Sequence, residues 1–287
     1  MEGVGRSLKK LLLTGGTGFV GRSILPKLQE EYIVDFPTRQ QLNINDLTNI
    51  EDFLKKGNYD IVVLAAIPTP FSRADHLESD PFLSGLASFM NFYRLRNHVE
   101  KIFYFGSGAE FDKRYDIFNV KEEDLVRYLP KDPYGFSKYI MNDYARVSEN
   151  VFNLRLFGCY GPTDAERKFI AHCINCCLKK GPITIKQNCL FDYIYVEDVV
   201  PIISHMINKE PAFHDYNICS GLHITLYHIA EIVRNVMGTS NEIQVLKDGL
   251  GLEYTASNDR LKKEIPGMQL TSLEDGIGLH VSSVMQK

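Results

Sequence analysis

The chain has 287 residues, 44% apolar and 24% charged, with 32 Lys and Arg against 36 Asp and Glu for a net charge of −4. That gives a soluble chain of one large domain or two small ones, with core enough to need no disulfide staples, and excludes a basic nucleic-acid surface as the main feature. The longest apolar run is seven residues, 61–67, against roughly 20 for a membrane span; with no apolar leader near Met1, the expected location is cytoplasmic, with no membrane partner.

Residues 9–13 read as a short buried strand and 22–31 as a helix. Residues 32–36 form a second strand, closed by Pro37. A helix over 47–56 follows, with Asp46 as its N-cap. Residues 60–66 are almost continuously apolar, as expected of a parallel strand covered on both faces. A helix over 83–97, a strand over 101–105, a helix over 133–149 and a strand over 151–157 continue the alternation. Asp132 caps the helix at 133, and Pro133 takes its first position. Such alternation predicts an α/β fold: a Rossmann-type doubly wound parallel sheet with helices on both faces.

After Gly161-Pro162 the rhythm changes. A helix over 166–179, a strand over 191–196, a helix over 197–208 that tolerates Pro201, a short strand over 216–219 and an amphipathic helix over 225–237 are expected. Residues 1–162 would form the Rossmann domain. Residues 163–287 would form mainly a smaller lobe, with about 190–220 returning to the first domain.

Six cysteines are present, and Cys173, Cys176 and Cys177 cluster beside His172. A zinc site is the sharper reading of that cluster. No second ligand pair with suitable spacing follows, so small apolar residues on a core-facing helix is the preferred reading, and no metal is expected.

Three motifs carry chemistry. Gly15, Gly18 and Gly21 lie three apart between a strand and a helix. Without Cβ atoms the chain can turn tightly, approach a pyrophosphate and pack its helix closely, while the helix N-terminus offers unpaired N–H groups. A plain turn is the alternative; the position in the first strand–helix turn favours dinucleotide binding by Gly15, Thr17, Gly18, Phe19, Val20 and Gly21. Asp35 ends the second strand where a ribose-binding acid belongs, and Arg39 follows four residues later. A guanidinium there favours a 2′-phosphate, hence NADP(H), with NAD(H) as the other possibility.

The second motif is Tyr134-Gly135-Phe136-Ser137-Lys138, which puts a phenol and an ammonium on one helix face. A nearby ammonium favours the phenolate and fits Tyr134 for proton transfer to a carbonyl oxygen. The third is Ser107, at the C-terminal end of a buried strand, where α/β sheets bind ligands.

Taken in order, these motifs resemble the extended short-chain dehydrogenase/reductases that act on nucleotide-linked sugars. The resemblance continues through Leu64-Ala65-Ala66, Arg155-Leu156-Phe157-Gly158-Cys159-Tyr160-Gly161-Pro162, Phe191-Asp192-Tyr193-Ile194-Tyr195-Val196-Glu197-Asp198-Val199 and Asn217-Ile218-Cys219-Ser220-Gly221. It implies a catalytic trio of Ser107, Tyr134 and Lys138. It implies cofactor contacts from Leu64, Ala65, Ala66 and Leu156, with Asp46 and Leu47 at the adenine. It also implies a C-terminal lobe that grips a nucleoside diphosphate, and a homodimer packed through the helices at 83–97 and 133–149.

Departures from the family narrow the chemistry. Sugar-nucleotide 4,6-dehydratases carry an acidic pair after the strand-end Ser/Thr, and here Gly108 and Ala109 stand there. Residues 38–46 resemble GDP-fucose synthase, but Ala109 replaces its cysteine and its histidine falls near Lys168. Reduction machinery remains, which implies an NADPH-dependent 4-ketoreductase of a nucleotide-linked 4-keto-6-deoxysugar. A 4-epimerase with tightly held NAD and a non-catalytic NADP sensor are the alternatives. Phe191 stands where many relatives place a diphosphate-binding Arg, which leaves Lys168 or Arg167 to neutralise phosphate. Phe71, Arg73, Ser107 and Gly108 are the expected sugar contacts.

Overall fold

A computed structural model describes residues 8–66 and 81–286. Phe71 and Arg73 therefore lie outside the described residues. Strand β1 (Lys10–Thr14) leads into α1 (Phe19–Glu31), β2 (Ile33–Asp35), α2 (Leu47–Gly57), β3 (Ile61–Leu64) and α3 (Pro81–Arg94). Then come β4 (Lys101–Ser107), a single 3₁₀ turn at Gly108–Glu110, β5 (Ile117–Val120), α4 (Pro133–Arg146), β6 (Val151–Leu156), β7 (Gly158–Tyr160) and α5 (Phe169–Leu178). The remainder is β8 (Ile183–Ile185), β9 (Leu190–Phe191), β10 (Tyr193–Tyr195), α6 (Val199–Asn208), β11 (Asp215–Ile218), β12 (Ile224–Thr225), α7 (Leu226–Val236), β13 (Ile243–Val245), β14 (Tyr254–Ala256), α8 (Asp259–Glu264) and α9 (Leu273–Met285).

Six parallel strands form the main sheet in the order β2-β1-β3-β4-β6-β11. Alternating side chains serve opposite faces. Leu11 and Leu13 of β1 join Ile24, Leu28, Val199 and Ile203 on one face. Leu12 joins Ile50, Phe89, Ile102 and Met141 on the other. The chain reverses direction across the sheet between β1 and β3, and such a reversal opens a crevice at the strand ends. A separate core under α5, α7 and α9 holds Ile170, Cys173, Ile174, Cys177, Ile229 and Ile277. Cys173 and Cys177 are thus core residues, while Cys176 Sγ lies 3.5 Å from His172 Nε2. Among the described residues no group of three or more His, Cys, Asp or Glu is arranged to hold a metal, and no helix is long and apolar enough to cross a membrane.

Local rules account for the caps. Asp46 accepts the Asn49 N–H at 3.1 Å, and Asp132 accepts the Gly135 N–H at 2.9 Å. Tertiary structure overrides the expectation of one strand over 191–196. The segment is split at Asp192, with β9 antiparallel to β12 and β10 parallel to β7. The cause is the Asp192 side chain, which turns inward and accepts the Ser220 N–H (2.9 Å), the Ser220 hydroxyl (2.7 Å) and the Gly221 N–H (2.9 Å). The helices expected over 83–97 and 166–179 are likewise shorter, ending at Arg94 and beginning at Phe169.

Asp192 is wholly buried, so removing its carboxylate orphans three donors. Asp192→Ala should lower unfolding free energy by about 2 kcal/mol or more, read as a fall in the chemical-denaturation midpoint.

Candidate active site

The glycine turn is a cradle with no room for side chains. Gly15 has φ +73°, and a Cβ there would sit 2.6 Å from the Ala65 carbonyl carbon and the Ala66 nitrogen. A Cβ on Gly21 would sit 2.2 Å from the Gly15 oxygen. Gly18 caps α1 without a side-chain acceptor, and the first turn carries no acid. The turn therefore keeps donors for an anion, and the residues fit a dinucleotide pyrophosphate. Thr17 is exposed at its tip, with Phe19 and Val20 half-buried behind it. Leu64 and Ala66 line a shallow cleft beside it with Thr14, Ile44, Ser88 and Phe89.

Asp35 does not face that cleft as an open acid. The Tyr59 hydroxyl donates to it at 2.6 Å and Lys10 Nζ pairs with it at 3.2 Å. The Tyr59 hydrogen bond, more than Lys10, holds the carboxyl below its usual range. Arg39 is exposed on the turn after β2. Asp46 and Leu47 stand at the start of α2, where the Asp46 carboxylate caps the helix.

Ser107, Tyr134 and Lys138 come together at the end of β4. The i, i+4 spacing puts the last two on the face of α4 that meets the sheet. Lys138 is 2% exposed and its Nζ donates to the Phe105 carbonyl at 2.7 Å. It lies 5.9 Å from the Tyr134 ring centroid and 6.0 Å from that of Tyr104. Burial brings the ammonium down to about 8, against an opposing pull from Glu110. Burial pushes the Tyr134 phenol up to about 12, offset in part by its hydrogen bond to Ser107. The phenol is thus a protonated donor at neutral pH, as proton transfer to a carbonyl oxygen requires, although burial moves it in the direction opposite to that of a nearby ammonium. Leu156 sits beside Ser107 in register on β6.

Two groups escaped the sequence reading. Tyr254, on β14, also hydrogen-bonds the Ser107 side chain, and its hydroxyl covers Gly108 so closely that a Cβ there would be 2.3 Å away. Its ring stacks on Phe191 at 4.7 Å. No local spacing announces this contact across the chain. Glu110 lies wholly buried one turn past Ser107 and caps it reciprocally, accepting the Ser107 N–H at 2.9 Å while Ser107 Oγ accepts the Ala109 N–H at 3.2 Å. An acid three residues past the strand-end serine was its sequence signal.

Lys168 pairs with Asp164 at 2.8 Å, donates to the Cys159 carbonyl at 3.2 Å and lies 4.6 Å from the Phe19 ring. The structure thus puts it against the glycine turn. Arg167 is exposed beside it.

This geometry agrees with the family signature. The model of the NAD dependent epimerase/dehydratase family matches residues 11–219. The chain belongs to that family. It is an NAD(P)-dependent oxidoreductase of the extended short-chain type, in a group that modifies nucleotide sugars. It is 24% identical over 318 residues to the dTDP-4-dehydro-6-deoxyglucose reductase of Escherichia coli, covering 96% of this chain and 98% of that one. Its fold is similar to the GDP-mannoheptose C4 reductase of Campylobacter jejuni solved with NADP (TM-score 0.81, 18% identity, 98% and 99% covered). It is also similar to the UDP-glucose 4-epimerase of Thermus thermophilus solved with NAD (TM-score 0.78, 22% identity, 96% and 99% covered).

Gly21→Ala should cost about 1–3 kcal/mol of stability through overpacking. It should also weaken NADPH binding at least tenfold by fluorescence titration.

Proposed function

We propose that this oxidoreductase uses NADPH to reduce the C4 ketone of a nucleotide-linked 4-keto-6-deoxysugar. The observation that carries this reading is the make-up of the strand end. Ser107, Tyr134 and Lys138 converge there, but Gly108 and Ala109 carry no proton-transfer group, and the nearby Glu110 is sealed against Arg155 at 2.6 Å. Ketone reduction needs one acid; epimerisation at neighbouring carbons or loss of water needs further groups.

The pyrophosphate would lie on Gly15, Thr17, Gly18, Phe19, Val20 and Gly21, the adenine near Asp46 and Leu47, and the nicotinamide near Ala65, Ala66 and Leu156. Because Asp35 is engaged by Tyr59 and Lys10, no open acid at the end of β2 repels a 2′-phosphate, and Arg39, exposed on the turn after β2, would pair with it. The cofactor supplies a hydride to the carbonyl carbon. Tyr134 gives its phenolic proton to the carbonyl oxygen, which the Ser107 hydroxyl holds. The Lys138 ammonium stabilises the phenolate left behind, until solvent returns a proton.

In the same reading, residues 163–189 and 221–287 grip the nucleoside diphosphate, with Ser107 and Gly108 at the sugar. Lys168, held beside Phe19, serves phosphate at the junction of cofactor and substrate. The chain is a homodimer through α3 and α4, near which Leu83, Tyr144 and Val147 are exposed.

Tyr134→Phe should bind NADPH like the wild type and lose at least a hundredfold in kcat. That is measured as NADPH oxidation with GDP-, dTDP-, UDP- and CDP-linked 4-keto-6-deoxysugars. Full activity in the variant, or an epimerised sugar with no net NADPH use by the wild type, would contradict the reading. Arg39→Ala should raise KM for NADPH at least tenfold more than KM for NADH. The rate should fall as pH rises through about 8, where Lys138 loses its proton.

A further inference from the structure

A wholly buried carboxyl, that of Glu110, lies one turn past Ser107. Every hydrogen-bond partner of Glu110 is a donor: the Ser107 N–H at 2.9 Å, Asn153 Nδ2 at 3.2 and 3.0 Å, and Arg155 Nε at 2.6 Å. Burial pushes the carboxyl up and Arg155 opposes that, but a set of donors serves the ionised form. Arg155 continues to Asn217 at 2.9 Å and Asp215 at 3.0 Å. Asp215 is held in addition by Arg260 at 2.7 Å and Arg146 at 3.5 Å. Gly106 makes room for the junction, since a Cβ there would be 2.3 Å from Glu110 Oε1 and 2.0 Å from Asn153 Oδ1.

Two consequences follow for the cleft. The Ser107 backbone is fastened from below, and with it the point from which its hydroxyl reaches Tyr134. Charge is the second. The elements packed on α4 bring Tyr104 from β4, Glu110 from the 3₁₀ turn, Arg155 from β6, Asp215 from β11 and Tyr93 from α3, while Tyr134 faces Lys138 from α4 itself. Of these, Glu110 is the group whose charge acts on Lys138.

We propose that Glu110 is a positioning residue for the reduction: it fixes the backbone that carries the Ser107 hydroxyl, and it sets a buried negative charge two residues along β4 from the Phe105 carbonyl that holds Lys138. The role in turnover rests on the functional reading above; the electrostatic influence of Glu110 on Lys138 does not.

Glu110→Gln keeps an acceptor for the Ser107 N–H and removes the charge. Because it also strips Arg155 of a counter-ion, Glu110→Gln with Arg155→Met provides the companion variant; there Asp215 retains Arg260 and Arg146, and no lone buried charge is created. The direct readout is a ¹³C NMR titration of Lys138 in protein labelled at lysine Cε, assigned by its loss in Lys138→Arg, with no sugar present. In both variants the Lys138 titration should move to lower pH, while Glu110→Asp moves it back toward the wild type. With an active sugar, kcat should fall at least tenfold with KM for NADPH unchanged, and the alkaline limb of the rate profile should follow the NMR shift. An unchanged Lys138 titration in the double variant would overturn the proposal. Failure of every sugar with the wild type would instead overturn the C4-reduction reading and leave the titration to decide the role of Glu110.

Discussion

The buried ion network of Glu110, Arg155 and Asp215 is the constraint on which the site depends. Arg155 and Glu110 are wholly buried, and ions are expensive to take out of water. Their mutual attraction offsets that cost only when geometry is good and the remaining donors and acceptors are satisfied. Here the guanidinium, itself on β6, spans three acceptors on two further elements: Glu110 in the 3₁₀ turn, and Asn217 and Asp215 on β11. Removing one partner of such a pair costs about 3–5 kcal/mol, so the arrangement tolerates little displacement. Burial works against the charge on Arg155, but Glu110 and Asp215 more than offset it and keep the guanidinium protonated. The network runs from the end of β4 through β6 and β11 to Arg260 on α8. Late parts of the chain are thereby tied to the serine at the cleft.

A second consequence concerns the rings packed around Ser107 and Gly108. Phe191 stacks on Tyr254, which leans on Phe157 at 5.1 Å. Where the family resemblance leads one to expect an Arg, this chain has Phe191 and the ring and hydroxyl of Tyr254 from β14. The cations in view belong elsewhere: Lys168 is held against Phe19 and Asp164, and Arg39 stands by β2. On the proposed reading these two cations serve the cofactor side, in keeping with a near-neutral protein that handles a small phosphorylated ligand.

Much of this was legible in the sequence because its cause is local. A glycine turn, an N-cap and an i, i+4 pair are written within a few residues, so the cradle at Gly15, the cap at Asp132 and the Tyr134–Lys138 face follow from spacing. Apolar runs gave the parallel strands for the same reason. The rest depends on partners far away in the chain. Asp192 breaks a strand because Ser220 and Gly221 reach it. Tyr254 meets Ser107 across 147 residues. Glu110 reads as an ordinary acid until Arg155 is folded against it. The electrostatics of Tyr134 are legible only in part for a related reason: spacing reveals the ammonium nearby but not the burial that raises the phenol.

The central claim is that hydride and proton are delivered across one carbonyl by a site with a single acid. It is tested most directly by turnover with NADPH deuterated at the nicotinamide C4, on a 4-keto-6-deoxysugar nucleotide that the enzyme accepts. With both C4 hydrogens of the nicotinamide replaced by deuterium, the account predicts one deuterium at C4 of the sugar for each NADPH consumed; with unlabelled NADPH in heavy water it predicts none at C3 or C5. Solvent hydrogen exchanged into C3 or C5, or a sugar inverted without NADPH consumption, would contradict it.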